Sequence, residues 1–153
     1  MSLLPLFQWA AHTPALSVMR DSKWGFAAVE MVHLLALAAL GGTILVVDLG
    51  ILGIGFGRRS PSRVARELAP IFLGSLIAMV LSGALLVGAE AMKCYYHPAF
   101  RLKMVLFAAA VLFHFTIYKS AFGAPSIRSK IAAVGSLTLW LAVGLAGRAI
   151  GFL

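Results

Sequence analysis

From Met31 to Phe56 the chain carries one charged residue, Asp48, in twenty-six. A bilayer core about 30 Å thick is crossed by roughly 20 apolar residues of helix, so this stretch predicts a membrane span. Three more apolar segments follow, and the spans are read at about 25–56, 68–88, 100–122 and 130–150. Residues 1–22 are too broken by Pro5 and Thr13-Pro14 to cross a bilayer, and they read as two short amphipathic helices on its surface. Thr13 and Pro14 form an N-cap and first-turn pair, Ser22 is placed to cap the first span, and Trp24 falls at the headgroup level. The early apolar run lacks a basic flank, which argues against a cleaved signal peptide. The expectation is an all-α integral membrane four-helix bundle preceded by short amphipathic surface helices, a single domain over residues 1–153.

Charge placement then bears on partners and orientation. The net charge of +8 sits on a chain that is 61% apolar and 12% charged, with Lys and Arg in short clusters between apolar runs. A nucleic-acid binder needs a continuous solvated basic face, so the lipid bilayer is the expected partner and nucleic acid is not. Arg58, Arg59, Arg63 and Arg66 crowd the first connection, and Lys119, Arg128 and Lys130 flank the third. Arg20, Lys23, Lys93, Arg101, Lys103 and Arg148 fall on the opposite side, six cations against seven, so the arginine density of the first connection carries the expectation that both connections are cytoplasmic, with both termini and the 89–99 loop periplasmic in a bacterial inner membrane. Cys94 is the only cysteine, which excludes an intramolecular disulfide and a cysteine metal cluster.

Ionisable residues inside an apolar helix are costly and mark candidate sites. One such histidine alone reads as a ring hydrogen-bonded to a neighbouring helix. His33 and His114 lie on the first and third spans, which run parallel, and two histidines point instead to axial ligands of haem b in the bundle interior. Lys103 shares a helical stripe with His114, about 16 Å away by helix rise, and together with Arg101 it is a candidate partner for haem propionates. Snorkelling of both cations to headgroups accounts for them equally well without haem. His33 sits about one turn inside the membrane and His114 near its middle, an offset of ~10 Å. That offset makes His97 the rival second ligand and Met104 a weaker one. Glu30, one turn before His33, pairs at the interface or orients the imidazole, and Glu90 belongs to the same interface. Asp48 is expected either to pair with Lys119 or Arg58 or to relay protons.

Glu30-x-x-His33, Gly42 followed by Val47-Asp48-Leu49, and Tyr95-Tyr96-x-Pro98-x-Phe100-Arg101-x-Lys103-Met104 together resemble an uncharacterised family of four-helix bacterial inner-membrane proteins. That family is distantly similar to copper-resistance D-type and cytochrome b-like membrane domains, and the resemblance runs over nearly the whole chain. It implies the four-helix fold and, by analogy, haem. The family often carries Arg after the Asp-Leu pair, where this chain has Gly50.

Three function classes follow. The first is a b-type haem protein carrying electrons between a quinol pool and a periplasmic redox partner, as a subunit of a larger complex rather than a stand-alone enzyme. The second is a transporter of copper or a small solute using His33, Met31, Met104 and Asp48, against which no run of methionine or histidine pairs stands. The third is a non-redox structural subunit. Ser-His-Asp, phosphate-loop and zinc-peptidase motifs are missing from the chain.

Overall fold

A computed structural model describes residues 4–54, 60–118 and 126–149, and among these residues the chain is helical without strands. The helices are α1 (Leu4–Ala11), α2 (Pro14–Asp21), α3 (Lys23–Leu52), α4 (Pro61–Ala89), α5 (Ala91–Tyr96), α6 (Pro98–Phe113) and α7 (Ile127–Ala149). A π-helical turn, His114–Tyr118, continues α6. Four segments are long and apolar enough to cross a membrane, at Trp24–Leu52, Pro61–Ala89, Pro98–Thr116 and Ile127–Ala149.

Local chemistry sets the helix ends. Ser22 Oγ accepts from the Gly25 N–H at 3.1 Å, the expected cap of α3. Thr13 precedes Pro14 as expected, but its hydroxyl donates back to the Trp9 carbonyl at the end of α1 instead of capping α2. At the other end α3 stops at Leu52, short of the expected Phe56, because Gly53 takes φ +83°. Ile54 N–H then reaches the Leu49 carbonyl at 2.8 Å and Gly53 N–H reaches Gly50 at 3.2 Å, a glycine-closed helix terminus. The second span begins a full two turns before the expected residue 68. Ser60 caps it, Pro61 occupies its first turn, and an Arg63–Glu67 ion pair at 3.1 Å supports the charged turns that extend past the apolar segment. The 89–99 stretch, expected as a loop, contains the short helix α5.

Several serine and threonine hydroxyls inside the spans bond back within their own helices, whereas the buried Ser136 Oγ has no hydrogen-bond partner among the described residues. Thr43 donates to Leu40 at 2.7 Å, Ser75 to Ile71 at 2.7 Å and Ser82 to Ala78 at 2.6 Å. In hydrocarbon no water is present to take these protons, so back-bonding lets small polar residues pack without an orphaned donor.

In the bundle α3 packs against α4 and α7, and α6 packs against α7. The fourth side is loose: no Cα of α4 lies within 8 Å of a Cα of α6. Leu40, Ile44, Leu76, Met79, Trp140 and Val143 form the central apolar layer, with Phe107 edge-on to Trp140 at 6.1 Å. α1 and α2 lie over the end of the bundle that carries α5 and the start of α3. There Leu16 fills the space left by Gly88, whose Cβ would fall 2.8 Å from Leu16 Cδ1, and Phe7 meets Tyr95 at 5.4 Å. Trp9, Val18 and Trp24 remain exposed at this end.

Candidate functional site

One layer near the α5 end receives a polar or small residue from each spanning helix. From α3 comes His33, half-buried, whose Nδ1 lies 3.0 Å from Ser82 Oγ on α4. Beside Ser82, Gly83 leaves the room that the ring occupies, since a Cβ there would stand 3.1 Å from His33 Cε1. From α6 comes Lys103, close enough for its charge to act on the His33 ring. Its side chain lies along α7 at Gly147, where a Cβ would stand 3.3 Å from Nζ and 3.4 Å from Cε.

The hydrogen-bond arithmetic at Ser82 assigns the histidine tautomer. A hydroxyl has one proton to give. Ser82 gives it to the Ala78 carbonyl at 2.6 Å, so toward His33 its oxygen accepts, and Nδ1 carries the hydrogen. The Met79 carbonyl, 3.3 Å from the same hydroxyl, gathers a further acceptor on that side of the ring. The lone pair is therefore at Nε2. Metal-binding histidines are held in this way, with the non-ligating nitrogen donating to a fixed acceptor.

The other candidates fall elsewhere. His114 opens the π-helical turn and stacks on Phe72 of α4, ring centroids 4.2 Å apart and planes 19° apart. Phe72 and Ser82 are ten residues apart on α4, so His114 lies about 15 Å deeper than His33 along the helix. Two nitrogens on one metal lie on the order of 4 Å apart, so the structure does not bring His33 and His114 to a common metal. His97 is the residue before α6. It lines a shallow groove of ≈ 580 Å³ with Met92, Lys93, Tyr96 and Pro98, and its Nδ1 is buried without a hydrogen-bond partner among the described residues. Arg101 is exposed and committed to the α5–α6 corner: Nη2 donates to the Tyr95 carbonyl at 3.2 Å, and the guanidinium stands 5.8 Å from the Tyr95 ring centre. Met104 and Met31 are exposed.

Glu30 is exposed one turn before His33, and its charge acts on the ring. Glu90 approaches Lys93 at 3.8 Å. Asp48 is completely buried toward the opposite end, next to the small cluster formed by Val47 and Ala132. Its expected partners Arg58 and Lys119 lie outside the described residues, as does Arg59. Among the described residues no group of three or more His, Cys, Asp or Glu side chains is placed to hold a metal ion.

Ser82, Gly83, Gly147 and Cys94 complete this neighbourhood and were not singled out as site residues by the sequence. Cys94 on α5 is near enough to Lys103 for their charges to interact. Burial, and after it the Glu90 carboxylate, push the Cys94 thiol up, against smaller opposing effects of Lys93 and Lys103. The available signal for Ser82 was its distance from the helix end: it lies seven residues before Ala89, at a depth comparable to that of His33 on the antiparallel neighbour.

Residues 6–153 match the model of a family of unknown function, DUF6644, and the chain belongs to that family. No curated protein and no solved structure matches it.

Proposed function

For this member of DUF6644 we propose a multi-pass membrane protein that binds b-type haem through His33 and carries electrons between a membrane quinol and a redox partner at the α5 end, within a larger complex. The observation that carries the reading is the Ser82-fixed tautomer, which leaves Nε2 as an available ligand inside a layer fed by all four spanning helices. The residues fit a flat cofactor in two further respects. Gly83 and Gly147 let the His33 ring and the Lys103 side chain into the layer, and no Cα of α4 lies within 8 Å of a Cα of α6. Haem iron would supply a one-electron couple there, and His33 would supply an axial nitrogen. Lys103 and Arg101 are the cations nearest this end of α6, and a positive charge beside the cofactor favours its reduced state. His114 lies too deep to share the iron with His33, so the second axial position falls to another group, with His97 the nearest imidazole in sequence to Lys103.

Orientation follows from the arginines. Arg63 and Arg66 stand in the first two turns of α4 and support a cytoplasmic placement of that end, with the α5 end toward the periplasm of a bacterial inner membrane. Transport is the weaker reading, because the central apolar layer of Leu40, Ile44, Met79, Trp140 and Val143 lies between the His33 layer and Asp48.

The test is optical. Protein purified from haem-replete cells is expected to show a Soret band and a reduced α band, both lost in His33→Ala protein that is still membrane-inserted. Wild-type protein without a Soret band after this expression and after addition of hemin would sink the proposal.

A further inference from the structure

Ser136 on α7 departs from the pattern of the other hydroxyls in the spans. Thr43, Ser75, Ser82, Thr116 and Thr138 each donate to a carbonyl three or four residues earlier on their own helix. Ser136 is 1% exposed, and its Oγ has no hydrogen-bond partner among the described residues. A buried hydroxyl left in that state has given up its water without a replacement, which costs its full desolvation. Its proton and its lone pairs are both uncommitted.

The level of Ser136 in the bundle follows from two independent observations. Nine residues separate it from Ile127, where α7 begins, and nine separate Thr43 from Leu52, where α3 ends. Those helix ends lie on the same side of the bundle, so both hydroxyls stand about 14 Å in from it. Val47 of α3 and Ala132 of α7 belong to one buried cluster, and Thr43 and Ser136 each lie one turn further toward the α5 end on the same faces. Thr43 is buried too, and it gives its proton to the Leu40 carbonyl at 2.7 Å, so its oxygen is left as an acceptor. A free donor on α7 and a free acceptor on α3 therefore share one level of the packed helix pair without bonding each other directly.

We infer that one internal water bridges Ser136 Oγ and Thr43 Oγ1 across the α3–α7 contact, near the middle of the membrane. The water accepts the Ser136 proton and donates to Thr43, two of the two to four hydrogen bonds that such a water makes. Ala132 and Ala133, the buried residues that precede Ser136 on α7, bring only methyl groups to its surroundings. Lipid offers no other water to these hydroxyls, so the bridge ties the register of α3 to that of α7. The site lies ten residues, about 15 Å, along α3 from His33 and does not depend on haem being bound.

The first measurement uses the full wild-type chain in lipid bicelles with labelled threonine and alanine methyl groups. NMR magnetisation transfer from water is expected to reach the Thr43 methyl, and the absence of that cross-peak overturns the inference. The second is a double-mutant cycle on reversible unfolding. Ser136→Ala and Thr43→Val are each expected to lower the folding equilibrium constant about fivefold, and the double variant about fivefold rather than about 25-fold, because either change removes the same bridge. Additive effects overturn the inference. So does Ser136→Ala protein at least as stable as wild type, the result for a hydroxyl that stands dry. Coupled effects without the water cross-peak mean that the two hydroxyls bond directly, and they overturn it as well. The wild-type spectrum decides the matter if a variant does not fold.

Discussion

Replacing Ser82 by Ala removes the oxygen that accepts from His33 Nδ1 at 3.0 Å without touching His33, the proposed haem ligand. Loss of an outer partner of a metal-binding histidine costs roughly 10- to 100-fold in affinity. At 1.4 kcal/mol per tenfold, that is about 1.4 to 2.8 kcal/mol. An independent route gives a similar size, since a buried donor left without an acceptor costs about 1 to 3 kcal/mol. The Met79 carbonyl, 3.3 Å from Ser82 Oγ, is available to take over part of the role and pulls the expectation to the lower end, about tenfold. Titration of apo protein with hemin in detergent, followed at the Soret band, measures the change in Kd. Ser82→Thr should bind as wild type does, because its hydroxyl can again donate to the carbonyl four residues earlier and accept from the imidazole. An unaltered Kd for Ser82→Ala, in a preparation where His33→Ala binds no hemin, would refute the argument that Ser82 sets the tautomer.

Burial and Glu90 raise the Cys94 thiol, so at a given pH less of it is thiolate than in a free cysteine. Its rate of alkylation by N-ethylmaleimide should keep climbing through the pH at which free cysteine levels off, with Glu90→Gln moving the midpoint down; levelling at or below the pH of free cysteine would contradict this. The arginines at Arg58, Arg59, Arg63 and Arg66 predict that alkaline phosphatase fused after Leu153 is active, and an active cytoplasmic reporter at the same point would reverse the orientation.

Sequence alone determined where the chain crosses the bilayer. Twenty or so apolar residues have no other stable solution in lipid than a helix, and the break at Thr13-Pro14 and the cap at Ser22 are local signals that survive in the structure. The candidate site was half legible. His33 announced itself by the cost of an imidazole in an apolar run, and Lys103 by its charge, but the expected pairing of His114 with His33 rested on two histidines in parallel spans and its relation to Lys103 on a shared helical stripe. Which way a spanning helix faces is poorly written in its pattern, because lipid and bundle interior are both apolar and both accept the same side chains. Tertiary packing decided that α4 sets Ser82 against His33 and Phe72 against His114, about 15 Å apart, and so separated two histidines that share no closer relation in sequence. It also decided that the Lys103 side chain lies against α7 at Gly147. Helix register here follows from where small residues allow close approach, and Gly83 and Gly147 admit an imidazole on one side of the layer and a lysine stem on the other. That complementarity belongs to residues more than forty positions apart, and only the folded bundle brings them to one depth.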